Sequence, residues 1–334
     1  MKLAFIHHQL ARCGGIETYF LELITAASQA GHEIDLYVMK RDPGIILPDR
    51  VRVQVIASRI YPRLLRKYDF ARKLKKRLPQ DYDLILSTTR SFSQNMIITG
   101  GTHRGYMRAL GRHAPSDYLE AYLESKAYHS AQKIIAHSPA LRSELIDLYG
   151  ISPKKIIMLY PPVDVSSFQF QEKKHASRPL RLLFASNSHK RKGGFLLLNA
   201  LKQLPAHDFE LTIVGKPFKA AQKMPNVRCL GYVKNIADYY HQADWLVLPS
   251  YFEPFGLVVV QALECGTPVI VSKQVGAVAL LEPDEGLILE NQNATELAML
   301  LQKAKQTHCQ IKPGFAARHG LTLDAHFQAV LECR

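Results

Sequence analysis

Glu253, Gly256 and Gln261 lie in the stretch EPFGLVVVQALECGTPVIV, residues 253–271, and their types and spacing suit the grip of an extended anionic ligand. A strand is expected to end at Pro249-Ser250. The loop YFEP then places Glu253 just ahead of a helix whose first turn is Phe255-Gly256-Leu257-Val258, and Gly266 stops that helix before the next strand. A helix N-terminus offers N–H groups without intrahelical partners and the positive end of the dipole, and Gly256 lets a ligand come close. Such an end suits a diphosphate. Positions 253 and 261 are eight residues apart, roughly 12 Å along a helix at 1.5 Å per residue. Two hydrogen-bonding groups at that separation, with an anion site between them, match a nucleotide sugar, hexose at one end and ribose at the other. Taken alone, E-P-F-G is equally well a turn before a buried core helix.

The elements that must position these residues follow an alternating pattern. An apolar strand at Leu3–Ile6 leads into the turn Cys13-Gly14-Gly15 and a helical pattern from Ile16 to Gln29 closed by Gly31, the start of a βαβ unit. Further strands are expected at 34–39, 51–56, 84–87, 96–99 and 133–136, with helices at 118–130 and 139–148. The second half repeats the theme, with strands at 180–185, 209–214, 227–230, 245–248 and 268–271 and helices at 194–204, 236–242 and 256–265. This predicts an α/β protein of two Rossmann-like, doubly wound parallel-sheet domains facing across a cleft. The polar, aperiodic stretch at 164–179 divides the chain into domain 1–163 and domain 180–334, the final helix being free to return to the first domain.

Composition narrows the function class. The 334 residues are 47% hydrophobic, enough for two cored domains. No apolar run approaches the roughly 20 residues of a bilayer span, and the N-terminus lacks the apolar core of a signal peptide, so a cytoplasmic protein is expected. Five scattered cysteines without C-x-x-C spacing argue against a disulfide framework or a zinc site. The sole D-x-D, Asp81-Tyr82-Asp83, precedes the apolar strand LILS and reads as a strand-capping pair, not a metal site. Of the net charge of +14, residues 59–78 carry +8, nine Lys/Arg against one Asp. Arg63, Arg66, Lys67, Arg72, Lys73, Lys75, Lys76 and Arg77 are interleaved there with Ile60, Tyr61, Leu64, Leu65, Tyr68 and Phe70. That mixture fits a solvated helix face and, equally, a helix resting on an anionic membrane surface or a phosphorylated acceptor.

The 253–271 stretch resembles the E-x7-E motif of retaining glycosyltransferase family 4, whose fold is GT-B. Other landmarks of that family stand in order along nearly the whole chain: Gly14-Gly15-Ile16-Glu17, Ala136-His137-Ser138, Tyr160-Pro161-Pro162-Val163-Asp164, Lys190-Arg191-Lys192-Gly193, Ile213-Val214-Gly215 and Gly231-Tyr232-Val233. Within the family the chain is most similar to bacterial lipopolysaccharide core glycosyltransferases. The resemblance implies metal-independent transfer of a hexose from a nucleotide sugar, with UDP the expected nucleotide, to a glycolipid or oligosaccharide acceptor. It implies no cofactor beyond the nucleotide-sugar co-substrate, and a location on the inner face of the cytoplasmic membrane. Retention without an evident protein nucleophile would fit front-face attack, the leaving phosphate oxygen taking the acceptor proton.

Residue roles follow from the same resemblance. Gly14, Gly15, Arg191, Lys192, Phe255, Gly256 and Leu257 would surround the donor diphosphate, where cations and dipoles stabilise the charge that builds on the leaving group. Glu253 and His103 would hold the transferred sugar, and these two with Lys192 are the candidate catalytic residues. Tyr232 and Val233 would line the base. The family often has an arginine about five residues before its lysine, where this chain has Asn187 or Ser186. Gln261 replaces the second acid of the motif, which accepts from the ribose hydroxyls. A neutral carbonyl in place of a carboxylate should weaken donor binding by roughly 1 kcal/mol, or the amide could donate to the ribose instead. Two rival classes are an epimerase or hydrolase of nucleotide sugars on the same fold, which would turn over donor without acceptor, and a basic nucleic-acid-binding protein. The second lacks any recognised motif, so no nucleic-acid partner is expected.

Overall fold

The computed structural model describes residues 1–11, 15–60, 65–79, 81–173 and 179–334. They form two units, Met1–Pro162 with Thr322–Arg334, and Val163–Leu321.

In the first unit the strands are β1 (Lys2–Leu10), β2 (Glu33–Arg41), β3 (Val51–Val55), β4 (Leu84–Ser87), β5 (Met96–Thr99), β6 (Lys133–Ala136) and β7 (Ile156–Met158). The helices are α1 (Gly15–Gln29), α2 (Arg66–Arg77), α3 (His103–Leu110), α4 (Pro115–Ser130) and α5 (Pro139–Tyr149). The sheet order is β3-β2-β1-β4-β5-β6-β7, every pair parallel. Helices cover both faces of such a sheet, which is why LAFI, LILS and MIIT are near-continuous apolar runs and are buried throughout. In register, Leu3 sits between Ile34 of β2 and Leu84 of β4. The D-x-D pair stands at the start of β4: the Asp83 carboxylate accepts from the Lys2 backbone N–H at 2.8 Å, and Asp81 pairs with the Lys2 ammonium.

The C-terminal helix, Leu323–Glu332, belongs to this unit and puts Phe327 and Val330 into the core beside Leu23 and Ile24 of α1. A buried histidine fixes it there. His326 Nδ1–H donates to the Tyr160 carbonyl at 2.8 Å, so Nε2 is left to accept from the Tyr19 hydroxyl at 2.7 Å. Neighbouring His137 donates from Nδ1 to the Leu159 carbonyl at 2.8 Å.

The second unit contains β8 (Leu180–Ser186), β9 (Phe209–Gly215), β10 (Val227–Gly231), β11 (Trp245–Leu248), β12 (Val269–Ser272) and β13 (Gly286–Leu289). Its helices are α6 (Gly194–Leu201), α7 (Ala237–Gln242), α8 (Leu257–Glu264), α9 (Ala294–Ala304) and α10 (Phe315–Arg318), which makes the C-terminal helix α11. The order β10-β9-β8-β11-β12-β13, again all parallel, repeats the 3-2-1-4-5-6 order of the first sheet. In both sheets the chain reverses its direction of growth beside the first strand, between β1 and β4 and between β8 and β11. In open α/β sheets ligands bind outside the carboxyl ends of strands at such switch points.

The sequence pattern did not anticipate β7, β13, α3 or α9. The first two are three and four residues long, too short to show a period. Helix α3 contains Gly105, a poor helix residue. That glycine leaves room for the Glu144 carboxylate, which would have to shift for a Cβ, and Thr102 Oγ1 caps the helix by accepting from the Gly105 N–H at 3.0 Å. Polar residues 164–173, part of the stretch 164–179 read from sequence as linker, fall within the second unit. The Lys173 ammonium donates to the carbonyls of Tyr240, His241 and Ala243 at 2.9, 2.6 and 2.8 Å, closing the C-terminal end of α7.

Candidate active site

The loops after β8 and β11, the two strands that flank the second switch point, bring the basic turn and the acidic loop together. The turn 187–193 is wound by backbone bonds, Lys192 N–H to Ser188 O at 2.9 Å and Gly194 N–H to His189 O at 2.7 Å. It is anchored by His189, whose Nε2–H donates to the Lys216 carbonyl at 2.8 Å and whose ring stacks on Phe218. Gly193, at φ +77°, lies so close to the β11 end that any Cβ would overlap the Pro249 carbonyl. The glycine of the basic motif is therefore set by close approach of two strand ends. Tyr251 N–H donates to Arg191 O at 2.9 Å, and the Arg191 guanidinium donates to Phe252 O at 2.8 Å.

Those contacts place two cations on one carboxylate. Arg191 Nη1 is 3.1 Å and Lys192 Nζ 3.3 Å from the same oxygen, Oε2, of Glu253, whose side chain is 12% exposed. The cluster carries a net charge of +1 and includes three of the residues expected at the donor. Position 187, where the family's arginine is missing, is exposed; Arg191 stands instead as the second cation beside Lys192. Glu253 is also tied by its backbone, accepting at O from Gly276 N–H at 2.9 Å and donating to Gln274 O at 3.3 Å. Helix α8 begins just beyond it. Its first residue is Leu257, and its N-cap, Gly256, at φ +98°, provides no side-chain cap; a Cβ there would lie 2.9 Å from Val275 Cγ1. Phe255 is buried, and its carbonyl accepts from the Ala277 N–H at 2.8 Å.

The remaining donor residues are partly gathered in this unit. Tyr232, 73% exposed, and Val233 follow β10, the edge strand on the β9 side. Gln261 on α8 is half-buried, and its carbonyl oxygen accepts from the hydroxyl of Tyr240 at 3.0 Å. The expectation that this carbonyl faces a ribose left Tyr240 out of account. Tyr240 was missed because a tyrosine in ADYYHQ carries no signal that its hydroxyl will reach a residue 21 positions away.

In the first unit, Gly14 and Arg63 lie outside the described residues. Gly15 opens α1 and is exposed. His103 starts α3, so it is a helix N-terminal residue instead of a strand end. Its Nε2 lies 3.1 Å from Asp117 Oδ1, and Arg112 Nε holds Oδ2 of the same carboxylate at 3.3 Å. A carboxylate on one ring nitrogen fixes the orientation and tautomer of the imidazole. The His103 backbone N–H donates to Glu124 Oε2 at 2.6 Å, and Arg90 bridges Glu124 and Glu120 at 3.0 and 2.8 Å. Asp117, Arg90 and Glu124 were absent from the sequence reading because they carry no motif; Asp117 and Glu124 share α4, and only folding brings them to His103 of α3 and to Arg90 of the loop after β4.

The cations of the basic segment divide into two groups. Lys67 is paired with Glu120 at 2.7 Å, Lys73 with buried Asp69 at 2.8 Å, and Arg72 with the same Asp69 at 3.5 Å. Arg66 donates to the Ile60 carbonyl at 3.1 Å. Lys67 thus ties α2 to α4, while Lys73 is paired within α2 and donates to the Ala57 carbonyl at 3.2 Å; both side chains remain partly exposed. Lys75, Lys76 and Arg77 are exposed on the last turn, and Leu65 and Tyr68 are exposed near the first. No helix among the described residues is long and apolar enough to cross a membrane, and no group of three or more potential ligands among them is arranged to hold a metal.

Two doubly wound sheets in one chain, the second with a cationic turn set against a helix N-terminus, form the GT-B class of glycosyltransferase fold. Comparison with known proteins narrows the class to a family. The description "Glycosyltransferase Family 4" matches residues 13–167, and "Glycosyl transferases group 1" matches residues 165–308. A probable transglycosylase of Burkholderia thailandensis is 31% identical over 332 residues, covering 93% of this chain and 89% of that protein. Among solved structures, WaaG, a glycosyltransferase involved in lipopolysaccharide biosynthesis, is similar with a TM-score of 0.78 at 19% identity, covering 99% of this chain and 98% of that one. Anabaena HepE, solved with UDP-glucose, is similar with a TM-score of 0.66 at 17% identity, covering 100% of this chain and 95% of that one. The chain belongs to the glycosyltransferase family of group 1 and family 4, and it is a glycosyltransferase.

Proposed function

We propose that this enzyme moves a hexose, with retention of configuration and without a metal, from a UDP-linked donor to a glycolipid or polysaccharide acceptor of the lipopolysaccharide-core kind. The observation that carries the reading is the Arg191–Lys192–Glu253 cluster ahead of the unblocked first turn of α8. A leaving diphosphate gains charge as the glycosidic bond breaks. Lys192 and Arg191, with the N–H groups of Leu257 and its neighbours, offer preorganised positive charge to it. Binding of the diphosphate draws the cations off the Glu253 carboxylate, which is then available to accept from hexose hydroxyls. His103, oriented by Asp117, is assigned to the transferred sugar, and Tyr232 and Val233 to the base. HepE binds UDP-glucose, which supports UDP as the nucleotide, and the likeness to WaaG supports a lipopolysaccharide acceptor. A thermal-shift screen against UDP-, GDP- and ADP-sugars tests the core of this reading: a UDP-sugar is expected to raise the melting temperature, and the reading fails if no nucleotide sugar does.

Lys75, Lys76 and Arg77, with Leu65 and Tyr68 on the same helix, are assigned to an anionic membrane surface on the cytoplasmic side. Triple replacement by glutamine, which removes the charge without placing acids at the helix C-terminus, should abolish cosedimentation with vesicles containing phosphatidylglycerol and leave the melting temperature within about 2 °C, as expected of exposed residues. Equal vesicle binding by the triple variant would remove this assignment.

A further inference from the structure

We infer that Tyr240 turns position 261 into a donor-only contact for the ribose, so that this enzyme reads the ribose hydroxyls as acceptors, the reverse of what a carboxylate at that position does. The inference rests on the assignment of Gln261 to the ribose. Tyr240 is fully buried, and its hydroxyl lies 3.0 Å from Gln261 Oε1. A buried hydroxyl must place its proton on an acceptor or leave it unpaired at considerable cost, so the tyrosine donates and the amide oxygen is turned inward. The oxygen and nitrogen of a planar amide stand on opposite sides of its carbon. Turning Oε1 into the protein therefore presents the Nε2 hydrogens outward.

The device is braced from behind. Tyr240 sits on α7, whose C-terminal carbonyls, including its own, are clasped by the Lys173 ammonium, and Thr267 Oγ1 donates to the Tyr240 carbonyl at 2.6 Å. Neither the helix nor the ring is placed to swing away and release the amide. A carboxylate at 261 has two accepting oxygens, one for Tyr240 and one for the ribose, so the same tyrosine would leave an acceptor facing outward. The tyrosine and the glutamine together set which kind of hydrogen bond the ribose receives.

The probe is a ribose whose 2′ position cannot donate. Binding of UDP and of 2′-fluoro-2′-deoxy-UDP is measured by calorimetry for the wild type, Gln261→Glu and Tyr240→Phe. The wild type should lose only about threefold on fluorination, because the amide-to-hydroxyl hydrogen bond is a neutral one and fluorine, a weaker acceptor than oxygen, keeps part of it. Gln261→Glu should bind UDP more tightly and lose about tenfold or more on fluorination, one charge-assisted hydrogen bond. Tyr240→Phe, which frees the amide to turn its oxygen outward, should discriminate more than the wild type. A tenfold loss in the wild type, or no change in discrimination in Tyr240→Phe, would overturn the inference while leaving the ribose contact in place. If neither substitution alters UDP affinity or the ratio, position 261 does not touch the ribose, and the assignment beneath the inference falls with it.

Discussion

Replacing Lys192 by alanine is expected to lower kcat for sugar transfer by about 10²–10³, with a smaller rise in the donor KM, as for removal of one preorganised group at a site of developing charge. The split follows from when the charge appears. The diphosphate of the bound donor is already anionic, but its negative charge grows as the bond to the sugar breaks, so the ammonium stabilises the transition state more than the ground state. The fold should survive, because Arg191 stays on Glu253 at 3.1 Å and the turn is held by backbone bonds and by His189. Steady-state kinetics with saturating acceptor read the effect, and melting temperature confirms folding. Lys192→Arg should recover part of the rate because it restores the charge with altered geometry. A loss below about threefold in the alanine variant, far short of a removed charge contact, would mean that Lys192 does not serve the leaving group.

Acid should unfold the first unit well before it protonates most carboxylates. Burial pushes His7 down to about 4, His137 to about 4 and His326 to about 3, and all three lie in that unit. Their ordinary value is near 6.5, so the unfolded chain takes up these protons first. The stability that comes from keeping the rings neutral is complete above pH 6.5 and is lost as the pH falls from there through the folded values. Each histidine contributes a slope of about 1.4 kcal/mol per pH unit in that window, so roughly 4 kcal/mol is lost among the three by pH 5.5. His326 matters most for architecture, since protonating Nε2 destroys its role as acceptor for Tyr19 and loosens α11 from α1. Urea unfolding at pH 7.5, 6.5 and 5.5 should show the midpoint dropping across the series. His137→Asn, whose amide can still donate to the Leu159 carbonyl, should flatten the slope by about one proton. Midpoints that do not move between pH 7.5 and 5.5 would contradict this account.

Much of the donor half of the site is written locally. Glu253, Gly256 and the basic turn 190–193 sit within a few residues of strand ends, and strand ends are legible because buried parallel strands must be apolar along their length. The order of the elements already implied two doubly wound sheets, and the family motifs imply a diphosphate site at the second of them. The glycines carried information for a physical reason, since Gly193 and Gly256 occupy positive φ angles against the Pro249 carbonyl and Val275, where other residues are strained or excluded.

What the chain determines by itself is therefore what depends on neighbours in sequence: the strands, the helix starts, the charge of a turn and the identity of a residue at a motif position. Which partner a polar side chain meets depends on residues far along the chain, and only the tertiary structure decides it. Lys67 looks like a free surface cation in a run of like charges, yet packing of α2 against α4 commits it to Glu120, 53 residues along the chain. Residues 164–173 look like a linker because they lack periodicity, yet one ammonium on three carbonyls binds their end to the second unit. Gln261 is the clearest case. Its sequence position says that a charge has been lost from the motif. The direction in which its amide faces is set by a buried hydroxyl 21 residues away, because a buried donor must find an acceptor.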